Sequence, residues 1–198
     1  YELEVTAINS YGSNTFLINV DLKALIAGFD TPRYAEDVTL SADGTKAYVA
    51  DGNSGLQIID ITDPTAPTRL GSFDTPHYAR SVTLSADGTK AYVADGNSGL
   101  QIIDITDPTA PTKLGSFDTP NHAHSVTLST DGTKAYVADG NSGLQIIDVT
   151  DPTVPTKLGS FDTPNSARSV TLSADGIKAY VADYNSGLQI IDIIDPTT

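Results

Sequence analysis

The chain has 198 residues, 39% of them hydrophobic, with no Cys, Met or Trp, and 25 acidic against 11 basic residues for a net charge of −14. Regular apolar runs exclude a disordered acidic tail; so acidic a surface repels phosphate backbones and argues against nucleic acid as a partner. No apolar run approaches the roughly 20 residues of a membrane-inserted helix, and without Cys there is no disulfide, thiolate nucleophile or thiolate metal site.

In chain order, residues 1–8 and 15–20 alternate apolar and polar side chains around a polar turn at 9–14, which predicts a β-hairpin within residues 1–22. An apolar stretch at 23–30 with Leu25, Ile26 and Phe29 predicts a lone strand. From residue 37 a 44-residue unit recurs, beginning again near 81, 125 and 169; Ala47-Tyr48-Val49-Ala50-Asp51 returns at Ala91, Ala135 and Ala179. Within residues 81–117, Ser81-Val82-Thr83-Leu84-Ser85 alternates like a strand (a). A turn at Ala86-Asp87-Gly88-Thr89 leads into Lys90-Ala91-Tyr92-Val93-Ala94 (b). After Asp95-Gly96-Asn97-Ser98-Gly99 comes Leu100-Gln101-Ile102-Ile103-Asp104-Ile105 (c), apolar on both faces and so covered on both sides. Asp107-Pro108-Thr109-Ala110-Pro111 interrupts the sheet before a weaker strand over residues 112–117 (d).

Four short antiparallel strands per 44 residues, covered on both faces, predict an all-β fold: a β-propeller of about four blades over residues 23–198. An open stack of four-stranded sheets is the alternative. Gly99-Leu100-Gln101-Ile102-Ile103-Asp104-Ile105-Thr106-Asp107-Pro108 resembles the core of the LVIVD repeat, and Ser85-Ala86-Asp87-Gly88-Thr89-Lys90-Ala91-Tyr92-Val93-Ala94 is similar to the YVTN type. Both resemblances imply propellers of bacterial or archaeal surface or secreted proteins, and hence an extracellular or cell-surface location. The hairpin at 1–22 resembles the closing strands of a cadherin-like or immunoglobulin-like module; it also has the spacing to fill the b and c positions of a degenerate blade. A chain that lacks Met and opens on Tyr1 is expected to be a processed product or an excerpt.

The length is 4.5 repeats: one isolated d strand, three full blades, and a last blade that stops after strand c. Either the N-terminal d strand closes the last blade of its own chain, or it completes that of the next molecule. The second solution makes residues 1–30, with Leu25, Ile26 and Phe29, a donor, and Leu188, Ile190, Ile191 and Ile193 of the open blade an acceptor. Such a contact is head to tail and builds filaments unless the rotation closes.

Residues 45–88 and 89–132 differ at five positions, and so do 89–132 and 133–176. The differences concentrate in the loop from strand d to the next strand a: Arg33, Tyr34 and Glu36; His77, Tyr78 and Arg80; Asn121, His122 and His124; Asn165, Ser166 and Arg168. A varying loop on a copied framework is where partner or glycan specificity would reside. His122 and His124, two apart, are expected to point opposite ways in extended chain, which argues against a metal site. Asp51, Asp95, Asp139 and Asp183 suit a turn role better than calcium binding. Glu36 and Asp37, the only non-repeating acids of the blade region, are adjacent in sequence and make a poor glycosidase pair. The sequence therefore predicts no enzyme, cofactor or metal. It predicts an extracellular structural repeat protein that associates with itself, with a monomeric module contacting a protein or glycan through the d–a loops as the alternative.

Overall fold

The structure, a computed structural model, describes the backbone of residues 2–9 and 12–19 and all of residues 25–195. The hairpin forms as β1 (Glu2–Asn9) and β2 (Gly12–Asn19), a two-stranded antiparallel sheet of its own in which Glu2 pairs with Asn19 and Asn9 with Gly12. The ladder thus runs into the expected turn at 9–14, because backbone pairing does not depend on the polarity of Asn9, Ser13 and Asn14. Residue 1 of the expected first strand and residue 20 of the second lie outside the described residues. Among the described residues the hairpin pairs with no strand of a blade.

Four antiparallel sheets follow. The first contains β3 (Asp37–Leu40), β4 (Lys46–Ala50), β5 (Leu56–Asp60) and β6 (Thr68–Phe73). The second contains β7 (Ser81–Leu84), β8 (Lys90–Ala94), β9 (Leu100–Asp104) and β10 (Thr112–Phe117); the third β11 (Ser125–Leu128), β12 (Lys134–Ala138), β13 (Leu144–Asp148) and β14 (Thr156–Phe161). The fourth stops at three strands, β15 (Ser169–Leu172), β16 (Lys178–Ala182) and β17 (Leu188–Asp192). In each, strands pair in chain order, as a propeller blade requires. The a–b turns are held by Asp43, Asp87 and Asp131. Asp87 accepts the Ser85 hydroxyl, and the Thr89 N–H and hydroxyl at 3.0 and 2.8 Å. These bonds hold all three carboxyls well below the ordinary aspartate range.

Alternation explains why strand b is apolar on both faces after its leading Lys. Ala91 and Val93 of β8 face the first blade, in one core with Tyr48, Ala50, Leu56 and Ile58. Tyr92 and Ala94 face the third blade, with Val126, Ala135 and Val137. The same switch separates Ile103 and Ile105 from Leu100 and Ile102. Each blade is thus a two-faced plate, and stability comes from three copies of one inter-blade interface. Tyr48, Tyr92 and Tyr136 are part of that packing.

Residues 25–30 form no strand, and Leu25 is 88% exposed; residues 23 and 24 of the expected d strand lie outside the described residues. A d strand gains its ladder only beside a c strand, and β17, the free c strand, lies at the other end of the row of blades. Intramolecular closure through residues 25–30 is therefore not formed. Ile191 and Ile193, expected as acceptor side chains, are instead buried against the third blade with Tyr136 and Ile146, because they occupy the inward-facing alternate positions.

Candidate functional site

Two surfaces break the repeat: the uncovered faces of the end blades, and the rim where d–a loops meet b–c turns. On the first blade Val38 is 58% exposed, whereas its counterpart Val82 is 2% exposed. On the last blade Leu188 and Ile190 are 62% and 60% exposed, whereas Leu56 and Ile58 are fully buried. The N-terminal face therefore carries one half of the internal interface, and the C-terminal face carries the other half.

The segment before the first blade is already placed as in the other repeats. The Thr31 hydroxyl and the Arg33 N–H donate to the two oxygens of Asp51 at 2.7 and 3.0 Å. Thr75 and His77 do the same to Asp95, Thr119 and Asn121 to Asp139, and Thr163 and Asn165 to Asp183. Phe29 packs against Ala47, Val49 and Ile59, the same face of a blade that Phe73 meets one repeat later. The Asp residues assigned to turns thus reach 20 residues back to clasp each d–a loop. Burial raises the carboxyl pKa values of Asp95 and Asp139 above the ordinary range, against the lowering effect of those bonds.

The clasp fixes the varying loops on one rim with the b–c turns. Gly52, Gly96 and Gly140 bridge antiparallel to Ala79, Ala123 and Ala167 of the following loop. Glu36, Arg80, His124 and Arg168 occupy one position of the repeat, each N–H donating at 2.8 Å to the last carbonyl of its strand b. Of the twelve residues singled out in sequence, seven converge on one cavity: Arg80 of the second blade's loop, Asn121, His122 and His124 of the third, and Asn165, Ser166 and Arg168 of the fourth. The others lie elsewhere. Glu36 accepts the Tyr78 hydroxyl, His77 meets Asn97, Arg33 is held by its backbone at Asp51, and Tyr34 is exposed. His122 and His124 do not diverge as extended chain would require, because the loop turns; their rings are 6.4 Å apart and line the same cavity. Burial, then Arg168, Arg80 and His122, lowers the His124 pKa to about 4. No three His, Cys, Asp or Glu cluster as metal ligands among the described residues. Asp37 accepts the Val82 N–H at 3.0 Å, tying the first blade to the second.

Sequence reasoning missed Asn141 and Tyr184, which also line the cavity. Tyr184 stands where the other repeats have Gly52, Gly96 and Gly140, and it keeps their left-handed backbone at φ 45°. Comparing those four positions would have revealed it.

Four blades of this build define a β-propeller-type repeat protein. The LVIVD repeat matches residues 32–75, 77–119, 122–163 and 166–198, and the chain belongs to the LVIVD repeat family. No curated protein matches it. Among solved structures, the chain is similar to the periplasmic gluconolactonase of Pseudomonas aeruginosa, with a TM-score of 0.72 at 18% identity over 96% of this chain and 59% of that one. It is also similar to the hydrazine synthase of Kuenenia stuttgartiensis, with a TM-score of 0.68 at 20% identity over 90% of this chain and 49% of that one. The chain spans about half to three-fifths of these proteins, which are enzymes; at such identities the likeness is one of fold.

Proposed function

We propose that this chain is a non-enzymatic structural repeat of the cell surface or extracellular space that associates with itself head to tail by strand complementation. The observation that carries the reading is the match between the two exposed end faces and the two halves of the buried interface. Stacking the C-terminal face of one copy on the N-terminal face of the next would bury Leu188 and Ile190 against Val38 and Leu40, as Leu56 and Ile58 are buried against the second blade. The register follows from β5 and β6, where Leu56 pairs with Phe73 and Gln57 with Ser72. One repeat outward, this sets Leu188 opposite Phe29 and Gln189 opposite Gly28 of the next copy. Each junction would then complete a four-stranded blade and leave no edge at the seam. Growth by one copy per junction gives a filament unless the rotation closes into a ring.

The chain has no native Cys, so a Gly28→Cys, Gln189→Cys variant is a direct test. Oxidation is expected to give a ladder of disulfide-linked oligomers on a non-reducing gel, with fibres or rings in electron micrographs. A monodisperse monomer at high concentration would overturn the reading, and an intramolecular disulfide would show closure instead. The second reading, a module contacting a protein or glycan through its d–a loops, is favoured by the convergence of seven non-repeating residues on one cavity.

A further inference from the structure

The cavity at the rim is unusual for what it lacks. On a chain of net charge −14, two of the four arginines and two of the three histidines line one space of about 390 Å³ with no carboxylate in its wall. That volume lies within the range of small-molecule sites, roughly 300–1,000 Å³. Ion pairs among the described residues join Lys46 to Asp43 and Lys90 to Asp87; neither arginine takes part. Arg80 Nε is buried without a hydrogen-bond partner.

The donors are also held in place. The Arg80 guanidinium lies 5.0 Å from the Tyr78 ring centroid, and that of Arg168 lies 5.2 Å from the Tyr184 ring. Stacking occupies the face of a guanidinium and leaves its in-plane N–H groups to bind. Arg168 Nη1 is 3.3 Å from His124 Nε2, its one polar side-chain contact among the described residues. With its low pKa the His124 ring is neutral at pH 7, so it accepts from Arg168 and adds no second positive charge there. The side-chain oxygens of Asn121 and Asn165 each accept the next backbone N–H, at 2.9 and 2.8 Å. Their amide NH2 groups are thereby left as donors. The wall therefore presents planar, paired donors from three successive loops, and its acceptors are neutral side chains with no carboxylate among them. A planar acceptor at two points satisfies it, and carboxylates meet guanidinium forks in that way.

We propose that this cavity binds a small organic dicarboxylate, one carboxylate on Arg80 and the other on Arg168, with Asn121 and Asn165 donating to the same ligand. The proposal concerns the isolated chain and is independent of the end-to-end assembly.

The test is isothermal titration of the intact chain with succinate, with its neutral diamide and with sulfate. Succinate is expected to bind saturably at one site, the diamide not at all, and sulfate at least ten-fold more weakly. Arg80→Gln and Arg168→Gln should each weaken succinate at least ten-fold, while Lys113→Gln, the same charge change on exposed β10, should leave it within two-fold. Arg80→Lys retains the charge and loses the fork; a loss of several-fold is expected there, in a variant that melts at the parent temperature. Equal binding of sulfate, equal loss in Lys113→Gln, or no saturable heat with succinate would overturn the site.

Discussion

Ile58 and Ile190 occupy the same position of the repeat, one fully buried and the other 60% exposed, so a single substitution separates folding from assembly. Replacing Ile58 by Ala removes three carbon groups from a closed core, and the loss of unfolding free energy should be about 2–5 kcal/mol. At Ile190 the same three groups are worth about 2.4 kcal/mol on full burial, at about 0.8 kcal/mol each. With 60% of the residue still open, about 1.5 kcal/mol of that remains to be gained on contact with a second copy. This corresponds to about a ten-fold rise in the dissociation constant of the junction. The remaining 40% limits the cost to the dilute monomer to about 1 kcal/mol. Urea unfolding at low concentration measures the first quantity, and sedimentation equilibrium across a concentration series measures the second. If Ile190→Ala destabilised the dilute chain as much as Ile58→Ala, or left association within two-fold of the parent, the argument from matching faces would fail.

Asp95→Ala leaves the Thr75 hydroxyl and the His77 N–H without their acceptor and should cost about 2–4 kcal/mol in urea unfolding. Asp95→Asn, which keeps a carbonyl acceptor and sheds a buried charge, should cost less than half as much. Gly99→Ala should be far worse than Gly88→Ala although both glycines have positive φ, 65° and 68°; a Cβ at 99 would lie 2.3 Å from the Phe117 carbonyl oxygen, while one at 88 meets nothing within 4 Å. Thermal melting should show about 1 kcal/mol for Gly88→Ala, the left-handed backbone cost alone, and about 3 kcal/mol or more for Gly99→Ala. As pH falls from about 6.5 to about 4, the unfolded chain binds a proton that native His124 refuses, so the His124 contribution to stability should decline across that window, while the raised Asp95 and Asp139 act in the opposite sense. His124→Gln should flatten the decline. The lowered Asp43, Asp87 and Asp131 act only below the ordinary aspartate range, so a second loss at lower pH should survive in the variant.

The blade was legible in the sequence because its determinants are local. Ala91 to Ala94 alternate between two cores, Asp87 and Gly88 make their turn from adjacent residues, and the recurrence of both at 44 residues implies stacked copies. The twelve varying residues were also visible, since near-identical repeats act as their own reference. Which of them share a site was not. His122 and His124 come together because a clasped loop turns between them, and the clasp itself links Asp139 to Thr119 across 20 residues. No sequence spacing encodes such a bond.

The sequence by itself determined the plate, the period and the missing strand, since each follows from side-chain alternation and counting. Tertiary structure decided the rest. It set the free c edge at β17 and the segment 25–30 on opposite end blades, so the fourth strand finds no partner in its own chain. It also directed Ile191 and Ile193 inward and left Leu188 and Ile190 uncovered. Identical residues at identical repeat positions differ here for one physical reason: an interior blade has two neighbours to cover its faces, and an end blade has one.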